Sequence, residues 1–484
     1  MTPQNVSTFT FYDLETFGTD PRRDRICQFA AVRTDADLNI LEEMVCYCRP
    51  PRDYLPSLEA VEVTRITPAF ASQSGDNENI FMGKVLSFLT RPGNCVLGYN
   101  SVKFDDEFLR HAAFRNFFPP YEYNTFSGSS RWDVYPLIRL CCALCPEGIN
   151  WPKAQDEDGE RYSLKLADLT AANGLEHDNA HDAMSDVRAT IALLRLVFQK
   201  QPKMFSYVFR RRTRRALLES LTDPLTGELL TSPLLTVHSR FGPDHLFTGA
   251  VLPVMMDPQK RYVYCWDLTR TEEEYQDLPS LKELDCQAVT MSDLGIVKIK
   301  LASCPVLVPL NALLPEGRRE RVDLDPEAIK KLEEYFRQDD LKRNYLEGCV
   351  EKFEKEYSST EAAATQDPEF GLYSMPFAGP EAAALQNLRL QIRQAEQQDP
   401  YTLKDIVCPD PATAELLFRF RARNYEQLLS ADEQQRWGER ITAYSREHAG
   451  SFLTELNDMC MKYEKDPAMM NLLKETAVFY GITG

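Results

Sequence analysis

Three short stretches of this chain carry the residue types that metal-assisted hydrolysis needs. The first is Asp13-Leu14-Glu15. In a β-strand, side chains two residues apart share a face, so an Asp-x-Glu step presents two carboxylates side by side. They repel unless a positive charge sits between them. Hard divalent cations such as Mg2+ or Mn2+ take oxygen ligands of this kind. The second stretch is Phe104-Asp105-Asp106-Glu107-Phe108, just after Gly98-Tyr99-Asn100. It reads as a strand-to-helix junction, where free backbone amides favour an acid, and Asp105 or Asp106 could equally serve only as a helix N-cap. The third is Asn179-Ala180-His181-Asp182-Ala183-Met184-Ser185-Asp186. A lone histidine is more often structural, but an acid five residues on, in a carboxylate-rich site, reverses that weighting. Five helical residues turn through about 140°, so His181 and Asp186 reach one cleft only if His181 precedes the regular helix.

These groups need elements to carry them. Thr8 to Tyr12 is aromatic and β-rich and delivers Asp13 at its end. Ile26 to Val32 and Met44 to Cys48 read as the next strands of an opening meander. Asn79 to Leu89 has helical spacing, Cys95 to Tyr99 is a short buried strand, and Phe104 to Phe114 is again helical. Ser163 to Asn173 reads as a helix stopped by Gly174. From Ala183 to Lys200, Val187, Ile191, Leu194 and Phe198 form one apolar stripe. The pattern predicts an α/β domain with a mixed sheet over residues 1 to 200. A β-rich segment follows, with runs at Leu234 to Val237, Arg261 to Tyr264 and Gly295 to Ile299, as in a small barrel. From about Asp325 the residues are strongly helix-forming, with Glu356 to Gly371 as a linker candidate. The expected division is 1 to 200, 201 to 355 and 356 to 484.

Composition narrows the classes. The chain has 484 residues, 43% hydrophobic and 26% charged, which excludes wholesale disorder. No apolar run approaches the roughly 18 residues that a membrane span requires, and Met1 to Asn5 lack the features of a secretory signal. Thirteen scattered cysteines suit reduced thiols in a cytosol. Cys141, Cys142 and Cys145 cluster, but no second ligand pair at zinc-site spacing lies nearby. A net charge of −18 opposes binding to a polyanion. Distribution matters more than the sum: Arg210-Arg211-Arg212-Thr213-Arg214-Arg215 is either a solvated helix face or a local phosphate-attracting stripe.

Together the three stretches resemble the histidine subtype of the DEDD 3′-to-5′ exonucleases, with Asp13, Glu15, Asp105 and Asp186 as the acids, and four residues between His181 and Asp186. Further segments narrow the likeness: Phe11 to Thr19, Leu97 to Glu107, Ser130 to Asp133, Pro146 to Pro152, Ser303 to Leu307 and Phe420 to Tyr425. They are similar to the bacterial exodeoxyribonuclease I family over essentially the whole chain. The resemblance implies an RNase H-like exonuclease domain, then an SH3-like β domain and a C-terminal helical domain, which together enclose single-stranded DNA. It implies two Mg2+ ions (or Mn2+) held by the four acids and His181 as general base. Mononucleotides would leave a 3′ end processively, in DNA repair and recombination. It also places Arg110, Tyr121, Arg139, Lys165, Arg214 and Glu15 against the DNA, with Lys165 standing where the family has an arginine. The implied partner is the C-terminal tail of single-stranded DNA-binding protein, and the implied setting is a monomer in the bacterial cytoplasm. A proofreading subunit or RNA-trimming nuclease would be shorter. A silent binding protein on this fold would have lost metal ligands.

Overall fold

The computed structural model describes residues 6–156, 159–177, 182–338, 340–364, 367–374 and 379–482, with side chains omitted at 156 and over 357–364. His181 therefore lies outside the described residues. Five strands form the first sheet: β1 Thr8–Thr16, β2 Ile26–Thr34, β3 Ile40–Tyr47, β4 Asn94–Gly98 and β5 Ser130–Asp133. Their order is β3-β2-β1-β4-β5. The meander β1-β2-β3 is antiparallel, while β4 runs parallel to both β1 and β5, so the sheet is mixed.

β1 is the middle strand, and its period of two decides what each face does. Phe9 and Phe11 pack with Val187, Ile191 and Leu194 of the helix Ala183–Lys200. Tyr12 and Leu14 pack on the other face with Phe81, Val85, Phe108 and Ala112, from helices Glu78–Leu89 and Asp105–Arg115. The stripe expected on the helix Ala183–Lys200 ends one turn early, because Phe198 is 38% exposed and touches Phe205 instead.

The link from β4 to the helix Asp105–Arg115 is a built turn. A Cβ on Gly98 would lie 2.7 Å from Ser101 Cβ and 3.1 Å from the Tyr12 carbonyl oxygen, so only glycine fits there. Asn100 follows with φ +59°, a left-handed geometry that asparagine tolerates. The buried Asp133 carboxylate accepts from the backbone N–H groups of Asn100 (2.9 Å), Val102 (3.2 Å) and Tyr135 (2.9 Å), which fixes the entry of the helix.

A small hairpin pairs β6 Lys153–Asp156 with β7 Gly159–Tyr162. The second large sheet has the order β11-β10-β9-β8-β12, with β8 Leu234–Val237, β9 Thr248–Met256, β10 Tyr262–Asp267, β11 Ile296–Lys300 and β12 Leu307–Pro309. The rest is helical, including Pro411–Asn424, the 32-residue Ala431–Lys462 and Pro467–Phe479. The segment read as a linker is helical over 356–364, where the helix Asp340–Ala364 continues through Ser358-Ser359-Thr360. Glu361 and the three alanines behind it are strong helix formers and outweigh the Ser/Thr run. Among the described residues no helix is long and apolar enough to cross a membrane. The thirteen cysteines are free thiols.

Candidate functional site

Asp13 and Glu15 extend the row begun by Phe9 and Phe11, on the face of β1 that the helix Ala183–Lys200 covers. The helix begins at Ala183 and places Asp186 in its first turn, over the end of the strand. Oxygens of Asp13, Glu15 and Asp186 lie within 4.8 Å of one another. Asp105 arrives from the other covering helix, and its Oδ1 accepts the Leu14 N–H at 3.2 Å. The structure thus brings three of the expected acids into one cluster and ties the fourth to the strand between two of them.

The electrostatics fit a cation. Burial, and then repulsion from Asp105, Glu15 and Asp186, push the Asp13 carboxyl well above its ordinary range. Burial, then Asp186 and Asp105, raise Glu15 to about 8. Burial, joined by Asp133 and Asp186 and opposed by two backbone N–H donors, raises Asp105 to about 8. Carboxylates this crowded stay charged together only against a countercharge. Their all-oxygen donor set suits hard divalent ions.

Two groups near the cluster escaped the sequence reading. Asp182 repels both Asp13 and Glu15, and its Oδ1 accepts from Gln28 Nε2 at 3.3 Å. His177 Nε2 lies 2.5 Å from Asp186 Oδ1. The only sequence signal for His177 is its place four residues before His181. The capping role considered for Asp105 and Asp106 is not what they do, since the helix N-cap is Phe104, without a side-chain bond. Asp106 is instead fully buried. Its Oδ1 accepts from Tyr12 Oη (2.7 Å) and Tyr123 Oη (3.0 Å), and its Oδ2 pairs with Arg131.

The expected DNA contacts are dispersed. Arg110 donates to Glu107 Oε1 at 2.6 Å and lies 5.3 Å from the Tyr121 ring centre. Glu107 also accepts from Tyr373 of the C-terminal part. Arg139 is sandwiched between the rings of Tyr135 (4.8 Å) and Phe247 (4.3 Å), the latter from the second sheet domain. Lys165 is exposed at the start of the helix Leu166–Ala172. Arg214 donates to the carbonyls of Lys260 (2.9 Å) and Gln259, on the turn between β9 and β10. The arginine run forms no single stripe, because the helix Pro202–Arg210 ends inside it and a new one starts at Arg214. Arg211 folds over Tyr207 (3.8 Å) and Arg212 over Phe209 (4.0 Å).

Comparison with known proteins covers all three parts. Family models match as Exonuclease over residues 10–194, Exonuclease I SH3-like domain over 226–354 and Exonuclease I C-terminal domain over 366–481. Exodeoxyribonuclease I of Escherichia coli is 37% identical over 483 residues, spanning 97% of this chain and 96% of the relative. The zinc-ion-bound E. coli exonuclease I complex with single-stranded DNA superposes with a TM-score of 0.85 at 34% identity, covering 98% and 99% of the two chains. An SSB/exonuclease I crystal structure with the inhibitor CFAM gives 0.84 at 35% identity, also over 98% and 99%.

Proposed function

The chain belongs to the exonuclease I family and is a 3′-to-5′ exonuclease of single-stranded DNA that depends on divalent metal, and from that premise we propose how its residues divide the work. The observation that carries the proposal is the meeting of Asp13, Glu15 and Asp186 within 4.8 Å, with Asp105 alongside. These four acids are the ligands of two cations, Mg2+ in the cell. The cations supply charge neutralisation for the phosphate oxygens as hydrolysis proceeds. Glu15, 7% exposed, also meets the terminal nucleotide. His181 takes the proton of the attacking water, a task suited to a group with an ordinary pKa near 6.5.

Arg110, Tyr121, Arg139, Lys165 and Arg214 guide the strand. Support comes from where three of them sit. Arg110 and Tyr121 lie beside Glu107, which the C-terminal Tyr373 engages, and Arg139 is stacked by Phe247 of the SH3-like domain. These three groups sit near the seams at which the nuclease domain meets its two neighbours. An enclosure built on those seams holds the strand between cleavage events and gives processive release of 5′-mononucleotides. A basic lining inside an acidic exterior also reconciles DNA binding with the net charge of −18. The working state is a monomer of the bacterial cytoplasm, divided near 200 and 355. It is recruited in repair and recombination through the acidic, apolar C-terminal tail of single-stranded DNA-binding protein.

Digestion of a 3′-labelled single strand in Mg2+ tests the core of this. Wild type releases labelled mononucleotide, and Asp186→Ala is slower by three or more orders of magnitude, about 4 kcal/mol of transition-state stabilisation. Equal rates would remove Asp186 from the site.

A further inference from the structure

One buried histidine has no part in the chemistry above, yet it touches the metal cluster. His177 Nε2 lies 2.5 Å from Asp186 Oδ1, and the histidine side chain is 5% exposed against 20% for the aspartate. Its other ring nitrogen, Nδ1, lies 3.0 Å from Thr170 Oγ1. Thr170 is fully buried, and its hydroxyl is within 2.9 Å of the carbonyl oxygens of both Leu166 and Ala167. Contacts therefore run from Asp186 through the imidazole to Thr170 of the helix Leu166–Ala172, whose single hydroxyl proton serves either Nδ1 or a carbonyl of that helix. That helix is itself anchored by Leu169 in the core that holds Phe9 and Phe11.

We propose that His177 is a positioning residue for Asp186: its Nε2–H holds one carboxylate oxygen so that the other is presented to the cation site shared with Asp13 and Glu15. The assignment rests on the metal-site reading given above. A carboxylate accepts and cannot donate, so the proton in this contact belongs to Nε2, and Thr170 holds the ring at Nδ1. The need is physical. The terminal torsion of an aspartate is broad and roughly two-fold, so an unheld Asp186 turns freely in the first turn of its helix. It also faces Asp13 and Glu15, both of which it repels. A fixed donor outside the cluster removes that freedom and withdraws negative charge from one oxygen. Such outer partners commonly change metal affinity by 10- to 100-fold when removed. The role is separate from that of His181, which handles a proton of the reaction.

The test uses full-length wild type, His177→Ala, His177→Phe, His177→Gln and Asp186→Ala. Mn2+ binding without DNA is measured by titration calorimetry, melting in EDTA by scanning calorimetry, and initial rates against Mg2+ and single-stranded DNA. The alanine and phenylalanine variants should bind Mn2+ about tenfold more weakly and need about tenfold more Mg2+ for half-maximal rate. Their melting temperature in EDTA and their KM for DNA at saturating Mg2+ should match wild type. The glutamine variant, whose amide nitrogen reaches near the position of Nε2, should recover to within about threefold of wild type. The phenylalanine variant keeps the ring volume, so it decides the matter if alanine does not fold. Wild-type Mn2+ affinity in both donor-less variants would overturn the proposal. So would equal loss of affinity and melting temperature in all three, which marks a merely structural residue. If Asp186→Ala itself binds Mn2+ normally, the metal-site reading falls and takes this proposal with it. If Asp186→Ala is defective while the His177 variants are normal, only the proposal falls.

Discussion

Two groups of buried carboxylates in this molecule respond to burial in opposite ways. At the end of β1, Asp13, Glu15 and Asp105 face one another and Asp186, and each is pushed upward in pKa. At the seam between the nuclease and the C-terminal helices, Glu369 accepts from Arg25 (3.2 Å), Arg419 (3.2 Å) and Arg423 (2.8 Å). Asp53 there accepts from Arg423 (2.7 Å) and Arg440 (3.0 Å). Glu78 takes both Nε and Nη2 of Arg115. Burial costs these acids as well, but the guanidinium groups overcome it: Glu369 is held well below the ordinary carboxylate range and Glu78 at about 2. Desolvation is common to both regions, so the sign of the shift reports whether the fold supplies the countercharge. Where it does, the acids hold the fold together, Glu369 and Asp53 across the seam and Glu78 within the nuclease domain. Where it does not, they repel one another, as acids of the proposed cation site would.

The sharpest way to break this contrast is to remove a partner from the satisfied region. Glu369→Ala leaves three buried guanidinium groups without their shared acceptor, and breaking a buried pair in this way costs about 3–5 kcal/mol. Chemical denaturation should show that loss, while Mn2+ binding at the β1 cluster stays as in wild type. A variant as stable as wild type would mean that the seam is not held by charge.

That seam was invisible in the sequence for a simple reason. Glu369 and Arg25 are separated by 344 positions, and no local pattern links them. The convergence of the acids was legible because strand period and helix onset are local rules. An Asp-x-Glu step after Thr8 to Tyr12 must place both acids on one face, and Asp186 must fall in the first turn of a helix that starts at Ala183. His177 was not legible, since no local period links it to Asp186, nine positions on. The arginine run misled in the same way: a stripe requires one continuous helix, and Thr213 caps a new one. The aromatic neighbours that Arg211 and Arg212 fold over belong to the preceding helix.

The pH dependence of stability without metal should carry both signs. Glu15 and Asp105 have folded pKa values near 8, above their unfolded values. The folded state therefore binds more protons, and this stabilisation is full below about 4.5 and lost as the pH rises through about 8. Glu78 has a folded value near 2, so its stabilisation is present above about 4.5 and lost as the pH falls toward 2. In EDTA the melting temperature should fall on each side of a maximum near pH 5. Glu15→Gln removes one charge from the crowded cluster. It should melt above wild type at pH 9 and match it at pH 5. A variant that melts lower at pH 9 would show that the cluster is not under repulsion.

Asp106 tests where the boundary between the two behaviours lies. It is adjacent in sequence to Asp105, the proposed metal ligand, yet its surroundings are those of the seam: two phenolic donors on Oδ1, with Arg131 and Arg110 facing Oδ2. If environment decides the role, Tyr123→Phe removes one donor from a carboxylate that keeps Tyr12 and Arg131. The cost is then about 1.5 kcal/mol of stability, the lower end for a bond to a charged group. The exonuclease rate should stay within about twofold of wild type, because Asp105 is held through the Leu14 N–H rather than through Asp106. A tenfold loss of rate with unchanged melting would place Asp106 with the cation-binding acids. The division would then follow position in the chain instead of the countercharge that the fold provides.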